Sequence, residues 1–161
     1  MIGAAGAVCA SDSSVTLRDK HFLKDSSEVV LEAQRLGELA QSRGQSDEVK
    51  QLGQKVAQDY GQARQQLSNA AQSAGIAVTP QLTSKAARMV NHLTSLSGPE
   101  FDRAIVQELF SCEESGAHQL DLENRDSHNS SLRQLATSIQ TAVEPDLWTT
   151  TQLKAEFNGH I

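Results

Sequence analysis

Aromatic residues are scarce in this 161-residue chain, at 4%. A core without large rings has to be built from Ala, Leu, Val and Ile, which suits helices packed at short distance. Proline is also rare, with 3 in the chain, and β-branched runs are few, so a sheet protein is disfavoured. Only two cysteines occur, Cys9 and Cys112, far too distant in sequence for a CxxC metal or redox motif. Cys112 falls on an apolar helix face and reads as a small buried hydrophobe. Basic clusters are missing. The net charge is -6 and the pI about 5.3, which leaves no electrostatic footprint for nucleic acid and no polybasic segment for anionic lipid. No uncharged apolar run reaches the roughly 18 residues of a transmembrane helix.

What the chain does have is periodicity. In Ser46–Gly75 the apolar positions Val49, Leu52, Val56, Tyr60, Ala63, Leu67, Ala70 and Ala74 follow one another in steps of three and four. That is one stripe along a long helix, with Gln, Lys, Arg and Asp on the other faces. A preceding helix is expected from Asp19, as N-cap, to Gly44, as a left-handed C-terminal residue. Its stripe of Phe22, Leu23, Val29, Val30, Ala33, Leu36 and Ala40 is broken at Ser26 and Ser27, which suggests an irregularity there. Val78-Thr79-Pro80 has to be extended, since proline disfavours helical geometry in the residue before it. A short helix from about Thr83 to Leu96 follows. A fourth, opened by Pro99, runs to about Glu123 with Phe101, Ile105, Leu109, Cys112, Gly116 and Leu120 inward. Asn124–Asn129 reads as a loop. The last helix starts near Ser130, carries Leu132, Leu135, Ala136, Ile139, Ala142 and Val143 inward, and should be kinked or interrupted at Pro145. Beyond the kink, Leu147, Trp148, Leu153 and Phe157 would continue the apolar face.

These patterns predict an all-α fold: a ferritin-like four-helix bundle with one extra short helix, forming a single domain over 16–161. Residues 1–15 are different. Up to Ala10 they are small and uncharged, and Val8-Cys9-Ala10 fits the small-residue rule for a signal-peptidase site before Ser11. This stretch reads as the remnant of a signal peptide, or else as a disordered N-terminus. Gly6-Ala7-Val8 lacks the large aliphatic residue of a lipobox, so Cys9 is not a lipid-attachment candidate.

The order and spacing of several short motifs resemble one family. They are Leu36-Gly37-Glu38-Leu39-Ala40, Val49-Lys50, Val56-Ala57-Gln58-Asp59-Tyr60, Leu67, Ala74-Gly75-Ile76 with Pro80, and above all Leu96-Ser97-Gly98 followed by Phe101-Asp102-Arg103-Ala104. Over residues 19–157 the chain resembles the domain of unknown function 4142 family, exported ferritin-like helical proteins of bacteria often labelled outer membrane proteins. The resemblance implies a periplasmic or envelope location; without export the protein would be cytoplasmic. The departures fall on polar positions. Relatives usually carry Asp-His where this chain has Asp59-Tyr60, and Tyr where it has Ile105. Two further family histidines fall at Glu113 and near Trp148 or Thr151. Whatever the family's histidines do in relatives, most of them are replaced here.

A ferritin-like bundle invites a di-iron site, which needs Glu-x-x-His on two helices so that both ligands share a face. No Glu in the chain has a His three residues later, and neither His-x-x-x-His nor His-Glu-x-x-His occurs. Gly-x-Ser-x-Gly and phosphate-binding Gly-rich loops are absent as well. Two readings of the remaining polar residues stay open. In one, Asp59, Tyr60 and Glu113 form a reduced site, with Asp59 and Glu113 as candidate metal ligands; His118 could join it only from another face, being five residues from Glu113, and reads as exposed. In the other, the Tyr60 hydroxyl bonds Glu113 in a purely structural polar cluster, with Asp59 at the solvent edge; Asp102 and Arg103, counted among the structural polar residues, fix the start of the fourth helix, where Asp102 in the first turn suits the helix dipole. His21, His92, His128 and His160 read as surface residues.

The leading expectation is a non-enzymatic envelope protein with an interaction or stress-related structural role. It needs no cofactor and takes an unknown protein partner or itself. A divergent metal-binding or oxidase protein is the alternative, and a small-ligand carrier a third.

Overall fold

The computed structural model describes residues 15–159. The expected signal-peptide remnant and its cleavage site, up to Ser14, lie outside them, as does His160. Among the described residues the chain is all-α: α1 (Leu17–Arg43), α2 (Asp47–Ser73), α3 (Ser84–Thr94), α4 (Gly98–Asp126) and α5 (Ser130–Gly159).

Local chemistry sets most of the helix ends. Thr16, not Asp19, is the N-cap of α1. Its hydroxyl accepts from the Asp19 N–H at 3.1 Å, and the Asp19 carboxylate accepts from the Thr16 N–H at 2.8 Å, a reciprocal capping box. Ser46 caps α2 through the Val49 N–H, and Thr83 caps α3 through the Ala86 N–H. Gly44 closes α1 with φ -51° rather than in the left-handed region, while Gly75 takes that role after α2 at φ 68°. There the Ile76 N–H reaches back to the Ala71 carbonyl at 2.8 Å, which satisfies an end-of-helix acceptor.

The four long helices form a ring in which α1 packs on α2 and α4, and α5 packs on α4 and α2. Contacts between ends fix the directions. Arg18 meets Leu122 and Ser26 meets Gln119, so α4 runs antiparallel to α1; Lys55 meets Asp146 and Ser138 meets Gln66, so α5 runs antiparallel to α2. The diagonal helices α2 and α4 are therefore parallel, and the chain has to return along the full bundle length between them. Residues 74–97, with α3 inside, make that crossover. One long crossover between the second and third bundle helices is the connectivity of ferritin-like folds.

The tightest contact is between α1 and α2, where Gly37 faces Gly53. A Cβ on Gly37 would lie 2.6 Å from the Ala57 backbone nitrogen, and one on Gly53 would lie 2.7 Å from the Ala40 Cβ. Leu23, Leu36, Val49, Val56, Leu67, Ile105, Leu109 and Ile139 fill the core.

Expected interruptions of the helices do not occur. Ser26 and Ser27 are buried within an unbroken helix, and the Ser27 hydroxyl donates to the Leu23 carbonyl at 2.6 Å. Helix α4 continues three residues past Glu123, to Asp126. Helix α5 passes through Pro145 to Gly159. The carbonyl that Pro145 cannot serve belongs to Thr141, which is exposed and can be hydrated. Because the helix is unbroken, its inward face continues from Ile139 and Val143 to Asp146, Thr150 and Leu153. Trp148 thus points outward and is 67% exposed, and Ala142 is exposed too.

Candidate functional site

Three long helices each send polar groups into the middle of the bundle. From α2, Tyr60 interrupts the aliphatic stripe and is buried. From α4 comes Glu113, next to Cys112 on the inward face. Asp146 and Thr150 come from α5, one turn apart. Glu113 and Asp146 are each 1% exposed. Neither Glu113 oxygen has a hydrogen-bond partner, and neither does Asp146 Oδ2.

A buried carboxylate without donors avoids its desolvation cost by keeping a proton. Burial pushes the Glu113 carboxyl up to about 8, and the Asp146 charge adds to it. Thr150 commits its single proton to the Asp146 carbonyl at 2.9 Å. Its oxygen is then left as an acceptor for a neutral Glu113. Burial also pushes Asp146 up, to about 6, reinforced by the neighbouring Asp59 and opposed by Lys55. The Lys55 ammonium pairs with Asp59 on its own helix and stands 3.6 Å from Asp146 Oδ1. The hydrogen bond to Asp59 is the main reason the Lys55 pKa is raised. Burial and then the Glu113 charge hold the Tyr60 hydroxyl well above its usual range. Burial likewise lifts the Cys112 thiol, so it is not an activated nucleophile.

The fold brings together only part of the expected set. Tyr60 and Glu113 share the polar centre, but no hydrogen bond joins them. Asp59 sits at its solvent edge, committed to Lys55. Asp102 lies eleven residues before Glu113 on α4, roughly 16 Å away at the helical rise. Its buried carboxylate accepts the Gln45 and Ser46 N–H groups at 2.8 Å each, so it anchors the α1–α2 turn rather than the start of α4. Arg103 and His118 are exposed and join neither group.

Sequence reasoning missed Asp146 and Thr150, although the α5 period, extended past Pro145, lands on both. It also missed Glu123. That side chain is 2% exposed at the opposite end of α4, with Oε1 unpartnered and Arg18 Nε 3.9 Å from Oε2.

Among the described residues no three His, Cys, Asp or Glu side chains are grouped so that they could hold a metal ion. Asp59 already has the Lys55 ammonium as its cation.

One family model matches residues 4–153, nearly the whole chain. The protein belongs to the DUF4142 family, described as a domain of unknown function. No curated protein and no solved structure matches it. In this DUF4142 chain two positions where the resemblance implies histidine, Tyr60 and Glu113, line the polar centre. No helix described here is long and apolar enough to cross a membrane.

Proposed function

We propose that this DUF4142 protein is a non-enzymatic helical bundle of the bacterial envelope with a stress-related structural role, and that its fold is tuned to acid. The observation that carries the reading is Glu113, buried between helices with both oxygens unpartnered and Asp146 beside it. Such a centre is comfortable when protonated and strained when charged. An envelope compartment follows the external pH, so a bundle with this core would hold firm as its surroundings acidify. The uncharged small-residue N-terminus and the family resemblance support the envelope location. Protein partners or self-association would use the outer helix faces.

Chemical denaturation of the purified chain across pH tests the acid tuning. The denaturation midpoint should fall as pH rises from 5 to 8, in the interval where the buried acids ionise more readily in the unfolded chain. A midpoint that rises over that range would contradict the proposal. Cell fractionation with a tagged full-length chain tests location separately, and recovery in the cytosol alone would remove the envelope part.

A further inference from the structure

An open groove of about 520 Å³ runs between the first half of α2 and the second half of α5. Leu52 and Leu153, both buried, give it an apolar floor. Carboxylates stand at both ends. Exposed Glu48 and Glu156 mark one end, and Asp146 the other. Asp146 and Glu156 are ten residues apart on one helix, roughly 15 Å along its axis. Acids so far apart cannot share one ion, but they can hold the two ends of one elongated cation.

Asp146 supplies the independent sign of a ligand. It is 1% exposed and lines the groove; its Oδ1 pairs with Lys55 at 3.6 Å, and its Oδ2 has no partner. Lys55 is the groove's single cation, set against three carboxylates, and its half-exposed ammonium is divided between Asp146 and Asp59 outside the groove. Trp148, 67% exposed, forms part of the wall and offers an indole face to an ammonium or a methylene chain.

We propose that this groove binds a linear aliphatic polyamine. One terminal ammonium sits at Asp146, the other between Glu48 and Glu156, and the methylene chain lies over Leu52 and Leu153 beside Trp148. Charge at both ends selects for length, and the apolar floor between them disfavours fully hydrated cations.

Trp148 is the only tryptophan, so its emission reports directly on the groove. The full chain is titrated at pH 7.5 and constant ionic strength with spermine, with n-hexylamine and with 1,6-hexanediol, and calorimetry follows the same samples. Spermine should give a saturable response with a Kd on the order of 0.1 mM. The monoamine should bind at least about tenfold more weakly, and the diol should not respond. The double variant E48Q/E156Q, altered only at exposed positions, and separately D146N should each weaken spermine by about tenfold. The proposal is overturned if spermine yields neither heat nor a saturable emission change. It is equally overturned if the variants bind like the parent or the monoamine binds as well as spermine. E48Q/E156Q leaves Glu113 untouched, so its pH-dependent stability reads the acid-tuning proposal independently of polyamine binding.

Discussion

Lys55 on α2 stands 3.6 Å from Asp146 on α5 and pairs at the same time with Asp59 one turn along its own helix. One half-exposed ammonium thus serves two carboxylates, one of them fully buried. Replacing it by Met keeps the stem and removes the charge. Asp146 would then face burial and Asp59 repulsion with no cation, and its carboxyl would rise further above about 6. A raised carboxyl leaves stability intact below its unfolded value and removes it as pH climbs through the folded one. Lys55→Met should therefore cost little at pH 4 and on the order of 1 kcal/mol or more at pH 7.5, discounted for the solvent exposure of the lysine. Urea midpoints at the two pH values measure the difference, and equal losses at both would mean that the pair is not electrostatically coupled.

Glu113 sets the larger pH response. Its folded carboxyl lies near 8 against an ordinary value of 4.5, so between those limits the folded state holds a proton that the unfolded chain releases. Each pH unit in that window removes about 1.4 kcal/mol of stability through this group alone. Glu113→Gln cannot ionise, and the pH dependence between 5 and 8 should flatten by most of that slope. The comparison is of slopes, because a buried amide carries donors of its own and shifts the absolute stability at every pH. A variant whose midpoint still falls with pH as steeply as the parent's would show that Glu113 is not the responsible group.

The bundle was legible because the signals that make it are local and repeated. The stripe from Val49 to Leu67 is the buried face of α2, and the Ser46 cap lies where the stripe begins. Two kinds of feature were harder to read. Polar residues on an inward face look like breaks in a pattern. Ser26 and Ser27 suggested an irregularity, and Asp146 and Thr150 were passed over beyond the expected kink at Pro145, yet all four are buried in continuous helices. Long-range pairings leave no trace in local spacing either. Asp102 looked like part of the first turn of α4, but its partners lie 56 and 57 residues earlier. Of the candidate centre, Tyr60 and Glu113 were readable from their place on apolar stripes, whereas the α5 half depended on knowing that Pro145 does not end the helix.

Asp102 should be among the costliest single polar residues to remove. Its carboxylate is 3% exposed and takes two backbone N–H groups at 2.8 Å, tying α4 to the turn between α1 and α2. Hydrogen bonds to a charged acceptor contribute roughly 1.5–3 kcal/mol each, and buried donors left unpaired add to the loss. Asp102→Ala should cost about 3 kcal/mol or more, and Asp102→Asn, which keeps one acceptor oxygen, clearly less. Thermal or urea unfolding of the two variants checks the order. An alanine variant no worse than the asparagine one would mean that the turn is held by other contacts.

Helix propensity alone says that any glycine inside α1 or α2 should be improved by alanine, by about 1 kcal/mol. The crossing of these helices reverses that sign at two positions. A Cβ at Gly37 would meet the backbone of Ala57 at 2.6 Å and of Gly53 at 2.9 Å, and one at Gly53 would meet the Gly37 carbonyl oxygen at 2.7 Å. Backbone cannot rotate away as a side chain can, so the helices would have to separate, at an overpacking cost of roughly 1–3 kcal/mol or more. Gly61 lies further along α2, and a Cβ there comes no closer than 3.6 Å to the Gln34 side chain. Gly61→Ala should therefore raise the unfolding midpoint, while Gly37→Ala and Gly53→Ala lower it. The same substitution in the same pair of helices then separates propensity from packing. Stabilisation by alanine at Gly53 would mean that α1 and α2 do not cross as closely as the Gly37–Gly53 contact requires.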